Sequence, residues 1–173
     1  MSMIILLAPL LLFLFSCSEP EPEKKKDLTK SEAEYLSEQM NRWDAQRQDD
    51  EINQYVQRHS WTMNKTATGV RWMYMQEGDG DSAKVGLTAQ VRYDIFLLDG
   101  TKVYSSGDTL KDVRIGEDYV ESGLHEGLLL MRTGDKMRFI LPSYLANGLT
   151  GDQDKIGPRA SVMYEIELHH LVP

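Results

Sequence analysis

The chain has 173 residues, 41% hydrophobic and 27% charged, the balance of one globular domain carrying an accessory segment. Its 19 Lys and Arg against 27 Asp and Glu leave a net charge of -8, which argues against nucleic acid as a partner. A single Cys excludes an intramolecular disulfide and any thiolate-rich zinc site.

Residues 1–16 carry no charged side chain and are almost wholly apolar, from Ile4 and Ile5 through Leu10, Leu11, Leu12, Phe13, Leu14 and Phe15. A helix of that length falls short of a bilayer span, which takes about 20 residues, so the segment reads as the apolar part of a secretory signal peptide. The only Cys stands where the run stops, in Leu14-Phe15-Ser16-Cys17. This resembles the bacterial lipobox, in which a small residue precedes a Cys that is acylated and becomes the new N-terminus. The segment departs from that pattern in having no Lys or Arg before its apolar core and a bulky Phe15. The resemblance implies a lipid on Cys17 and a domain held at a bacterial membrane, facing the periplasm or the exterior. Residues 17–30, rich in charge with Pro20 and Pro22, form a flexible tether.

A helical accessory segment is expected over 31–60. Ser31 and Glu34 fit a capping box. Leu36, Met40 and Trp43 make one apolar stripe, and Ile52, Tyr55, Val56 and His59 make a second. The polar stretch Gln46 to Glu51 separates them, which predicts one kinked helix or two short ones. Such a face docks on the following domain, forms a self-association seam or meets an envelope protein partner. Docking is favoured.

From residue 66 the period changes to two. Val70, Trp72 and Tyr74 alternate, and Val85, Leu87, Ala89, Val91, Tyr93, Ile95 and Leu97 share one face of a long strand. Asp99-Gly100 marks a hairpin turn, and Leu110, Val113 and Ile115 a short strand. Val120, Leu124, Leu128 and Met131 line one helical face, with Gly134 as a left-handed stop. Met137, Phe139 and Leu141 alternate up to Pro142, and Val162, Tyr164, Ile166 and Leu168 form a last one-faced strand. His169 and His170 alternate across that strand and cannot share a metal ion. The fold class is α+β: an antiparallel sheet, its strands in hairpin order, wrapped around one short helix over residues 66–173.

The succession Val91-Arg92-Tyr93, Leu98-Asp99-Gly100-Thr101, Ile115-Gly116, Val120, Gly123-Leu124, Glu126-Gly127, Gly134-Asp135-Lys136, Ile140-Leu141-Pro142-Ser143, Leu145-Ala146 and Glu165-Ile166-Glu167-Leu168 resembles the FKBP family of peptidyl-prolyl isomerases. With its leader and helical prefix, the chain is similar to the lipoprotein, gliding-motility-associated branch of that family. The resemblance implies that proline-containing polypeptides are the substrates and that neither cofactor nor metal is needed. It places Tyr93, Val120, Ile156 and Tyr164 on the pocket wall, and the backbone N–H of Glu121 against the substrate carbonyl. It also exposes departures. The family's Phe-Asp pair is Val103-Tyr104, its floor Trp is Leu124, its donor Tyr is Asn147, and a pocket-facing Phe aligns with Lys111. Two function classes follow: an isomerase assisting the folding of exported proteins, or a non-catalytic peptide- or partner-binding module of the cell envelope.

Overall fold

In a computed structural model that describes residues 29–173, the chain opens with α1 (Lys30–Arg58). It continues through β1 (Asn64–Lys65), β2 (Arg71–Gln76), β3 (Thr88–Leu97), β4 (Lys102–Ser105), β5 (Lys111–Arg114) and α2 (Ser122–Leu129). After β6 (Lys136–Leu141) comes a single 3-10 turn, Ser143–Leu145, and the chain ends on β7 (Val162–Val172). The expected signal segment, Cys17 and nearly all of the tether lie outside the described residues. Among the described residues no helix is long and apolar enough to cross a membrane.

The strands form one seven-stranded antiparallel sheet in the order β1-β2-β6-β7-β3-β4. The fifth strand shares the far edge of β3 with β4: β5 pairs along residues 88–91 and β4 along 94–96. Simple hairpin order therefore does not hold. Only β1–β2, β3–β4 and β6–β7 pair as neighbours in sequence, whereas β2–β6 and β3–β7 join distant segments. The physical reason is burial. The two longest strands, β3 and β7, take the interior of the sheet, where Ala89, Val91, Ile95, Val162, Tyr164, Ile166 and Leu168 are buried.

Alternation along β6 and β7 divides two cores. Met137, Phe139, Leu141, Val162, Tyr164, Ile166 and Leu168 face α2 together with Leu124 and Leu128. Ile140 and Met163 point to the other face, where they meet Ile52 and Tyr55 of α1. The sheet is thus covered by α2 on one side and, around Ile140 and Met163, by the C-terminal half of α1 on the other.

Four details of the expected elements change. The helix is capped two residues earlier, with the Thr29 hydroxyl accepting from the Glu32 N–H and the Glu32 carboxylate from the Thr29 N–H. Thr29 and Ser31 both carry a Glu three residues on, and sequence spacing alone cannot choose between them. The polar stretch does not break α1, which runs unbroken for 29 residues. Instead its polar groups are contacts: Gln48 accepts the Ser143 N–H at 2.7 Å, and Asp49 takes Lys65 and Arg71, each at 2.7 Å. Val85 is exposed and precedes β3, because Gly86 turns the chain at φ +86°. Finally, α2 ends at Leu130 in ordinary helical geometry, and Gly134 (φ +92°) serves the turn into β6 instead.

The docked face of α1 consists of Asp44, Gln48, Ile52 and Tyr55, spaced as one helical side. The first apolar stripe does not dock on the domain. Met40 and Trp43 keep 61% and 65% of their surface exposed, against 1% for Ile52.

Candidate functional site

A cavity of about 350 Å³ opens on the α2 side of the sheet. Strand register assembles it, with β3 as the hub. Pairing of Tyr93 with Ile166 and of Ile95 with Tyr164 brings the β3 and β7 side chains together. Pairing of Ile95 with Tyr104 and of Val91 with Lys111 adds β4 and β5. Alternation then turns Val91, Tyr93 and Ile95 to the cavity side. The segment entering α2 closes the cavity with Val120, Glu121 and Leu124. The Tyr93 and Tyr164 rings stand 6.5 Å apart between centroids at 55°.

Of the residues expected in the pocket, Tyr93, Tyr104, Val120, Glu121, Leu124 and Tyr164 line this cavity. Val103 and Ile156 do not line it, being buried in the core. Asn147 lies in an adjoining depression with Tyr119, Val120, Glu121 and Ala146. Lys111 also lines the cavity. Val91, Ile95, Asp112, Val113 and Ile166 complete the wall. Sequence reasoning did not assign these to the pocket. The period of two on β3 was the signal available for Val91 and Ile95, since Tyr93 lies between them on the same face.

Glu121 is the N-cap residue of α2, with φ -58° and ψ 137°. Its backbone N–H has no acceptor among the described residues. An unpaired donor at the mouth of an apolar cavity is suited to holding a carbonyl oxygen. The Glu121 carboxylate accepts a long hydrogen bond of 3.5 Å from the Asn147 side-chain amide. Burial pushes the Tyr164 phenol up, and the charge of Glu121 and its hydrogen bond with the phenol add to it, so Tyr164 stays protonated.

The sequence already lacks the acid of the Phe-Asp pair, and Tyr104 in its stead meets carboxylates from a loop. Tyr104 donates its hydroxyl to Asp152, with Asp154 at 3.3 Å. Asp152 in turn accepts the backbone N–H groups of Asp154 (2.9 Å) and Ile156 (2.8 Å). The Tyr104 hydroxyl is pushed up to about 12, first by its hydrogen bond to Asp152. Lys155 sits over the Tyr104 ring at 4.8 Å and donates to the Val103 carbonyl at 3.2 Å. Tyr104 therefore pins the 152–156 loop to the rim of the cavity.

No nucleophile, proton relay or metal ligand set is needed for what this arrangement can do. Its walls are mainly apolar and aromatic, with Lys111, Asp112 and Glu121 among them, and its edge offers a backbone donor.

A family model described as FKBP-type peptidyl-prolyl cis-trans isomerase matches residues 80–169. Over 103 residues the chain is 32% identical to a Neisseria meningitidis serogroup B protein named probable FKBP-type peptidyl-prolyl cis-trans isomerase FkpA. That match covers 60% of this chain and 38% of the relative. It is 34% identical over 103 residues to a mouse protein named inactive peptidyl-prolyl cis-trans isomerase FKBP6, covering 58% of this chain and 32% of the relative. The chain therefore spans well under half the length of these two curated relatives. The crystal structure of a peptidyl-prolyl cis-trans isomerase from Pseudomonas syringae pv. tomato superposes with a TM-score of 0.64 at 26% identity, over 74% of this chain and 96% of that one.

Proposed function

The chain belongs to the FKBP-type peptidyl-prolyl cis-trans isomerase family, and from that membership we propose that it accelerates exchange at X-Pro bonds of exported polypeptides. The observation that carries this reading is the apolar cavity bounded by Tyr93, Val120, Leu124 and Tyr164 with the free Glu121 N–H at its mouth.

The chemistry follows from the peptide bond itself. Rotation faces a barrier of about 18–20 kcal/mol, because twisting removes amide resonance. A twisted amide is less charge-separated than a planar one, so moving it from water into an apolar cavity lowers the climb. The prolyl ring packs among Tyr93, Val120, Leu124 and Tyr164. The Glu121 N–H holds a substrate carbonyl while the bond turns. Tyr104 acts from outside the reacting bond by fixing the 152–156 loop. Val103 and Ile156 support the wall from the core, and Asn147 holds the Glu121 side chain.

A second reading is a domain that holds proline-containing segments without useful catalysis. It is favoured by the charged groups Glu121 and Lys111 at the cavity and by Asn147 in place of a phenolic donor. A relative named inactive is compatible with it. Refolding of a proline-limited substrate, catalysed by the chain from Thr29 onward, separates the two. Refolding at the uncatalysed rate, with the domain folded and binding peptide, leaves only the binding module.

The finer placement concerns the envelope. We assign a lipid to Cys17, because the apolar leader stops at the only Cys. With residues 17–30 as tether, the domain would work at a bacterial membrane outside the cytoplasm. The outward stripe of α1 is the surface left for an envelope partner. Cells fed a tagged fatty acid should label the wild-type protein, and label persisting in Cys17→Ala would refute the anchor.

A further inference from the structure

Three carboxylates follow one another in the short segment between β5 and α2, and two of them are already engaged. Glu117 pairs with Arg114 at 3.6 Å. Asp118 accepts the Arg114 backbone N–H at 2.7 Å. Glu121 has neither. Only neutral groups reach it, the Asn147 amide in a long contact and the Tyr164 phenol, and no Lys, Arg or His stands within ion-pair distance of it among the described residues.

This carboxylate without a cationic partner sits on a boundary. Val120 and Glu121 line both the apolar cavity and a second depression of about 550 Å³, which Tyr119, Ala146 and Asn147 complete. Consecutive Cα atoms lie about 3.8 Å apart, so a polypeptide with its prolyl ring in the first space reaches the second with the very next residue. The second space offers an aliphatic wall at Val120 and Ala146 and the ring of Tyr119, which is fully exposed. It holds one negative charge and no positive one. Lys111 belongs to the far wall of the cavity, on β5, and not to this depression.

Resting on the isomerase reading above, we infer that the depression beside the prolyl cavity is a subsite for a Lys or Arg side chain on a residue flanking the proline. The aliphatic stem of such a residue packs on Val120 and Ala146. Its charged head reaches the Glu121 carboxylate, and the face of Tyr119 adds an attraction for the cation. Glu121 thereby contributes twice, through its N–H to the substrate carbonyl and through its side chain to the choice of substrate. The clients favoured would be basic segments around proline, complementary to a chain of net charge -8.

The test uses tetrapeptides with Lys, Leu or Glu placed before or after the proline, followed by exchange NMR, which reads binding and interconversion in one sample. The Lys peptide should exceed the Glu peptide in kcat/KM by about five- to tenfold at low salt, chiefly through KM, and the ratio should shrink at high salt. In Glu121→Gln the ratio should fall to within about twofold of unity, as expected when one screened ion pair is removed. Glu117→Gln makes the same charge change outside the depression and should keep the ratio. No Lys preference in the wild type, or a preference that survives Glu121→Gln, overturns the subsite. Equal loss in Glu117→Gln does so too, since it would mark a general field and not a site. If no peptide exchanges faster than the uncatalysed rate, the isomerase reading fails by itself. The same spectra then judge the subsite by affinity: tighter Lys binding that Glu121→Gln abolishes sustains it, and equal affinities refute it.

Discussion

Replacing Ile52 by Ala tests whether α1 is an integral part of the domain or an appendage. Ile52 is 1% exposed and packs on Ile140 and Met163 from the outer face of the sheet, beside Tyr55. Truncating a buried Ile to Ala costs about 2–5 kcal/mol, the transfer of the lost carbons plus the cavity left behind. One kcal/mol shifts the melting temperature by roughly 2–4 °C in a chain of this size, so a fall of roughly 4–20 °C is expected. Gln48→Ala attacks the same contact through a polar group. It leaves the buried Ser143 N–H without its 2.7 Å acceptor, a loss of about 1–3 kcal/mol. Trp43→Ala is the internal control. That side chain is 65% exposed, and its removal should stay within about 0.5 kcal/mol. Urea denaturation of the three variants gives midpoint and slope together. A lower midpoint at constant slope means that α1 and the sheet unfold as one unit, and a reduced slope means that α1 leaves first. Docking as described would be refuted if Ile52→Ala and Gln48→Ala cost no more than Trp43→Ala.

Three further outcomes are expected. The backbone of Glu121 already has φ -58°, a value proline adopts, so Glu121→Pro should fold while catalysed exchange falls at least several-fold through loss of one N–H donor; unchanged exchange would remove that donor from the mechanism. Stability should hold steady above about pH 5 and decline as pH falls through about 4 and below. The Arg47 hydrogen bond holds the Asp44 carboxyl below its ordinary value; at Asp49 burial works against the charge but the Lys65 and Arg71 hydrogen bonds outweigh it. A carboxylate with a depressed folded-state value stabilises fully above its unfolded value and loses that contribution on protonation. Asp49→Asn should therefore flatten part of the acid slope in a pH series of melting curves, and an unaltered slope would remove Asp49 from it. Gly123→Ala should destabilise despite the better helix propensity of Ala, worth about 1 kcal/mol, because the new Cβ would stand 2.9 Å from the Leu145 carbonyl and from the Leu141 side chain. Calorimetry showing a stabilised variant would mean that α2 can shift away from the 143–145 turn.

Much of the sheet was legible because each strand carries its own period. Val91, Tyr93 and Ile95, or Tyr164, Ile166 and Leu168, declare a buried face without reference to any other segment. The motifs of the family were equally local, and they led to seven residues that the structure brings to one cavity, Lys111 among them. Strand order was not legible in this way. Pairing β3 with β7 depends on which faces can be covered, a property of the whole chain.

The polar residues of α1 show the same divide more sharply. Read along the chain, Gln46 to Glu51 interrupts two apolar stripes and invites a break. In the fold, Gln48 and Asp49 are what hold the helix down, because the Ser143 N–H, Lys65 and Arg71 come to meet them from segments far away in sequence. A side chain's hydrogen-bonding capacity is written in its residue type, but its partner is not. The contact at Tyr104 follows the same rule: its hydroxyl finds its acceptor in Asp152, on a loop 48 positions later. The sequence by itself determined the helical and strand periods, the family and the types of side chain available to the site. Only the tertiary structure decided which polar groups meet, since burial makes an unpaired donor or acceptor costly and so selects the pairs that the fold can bring together.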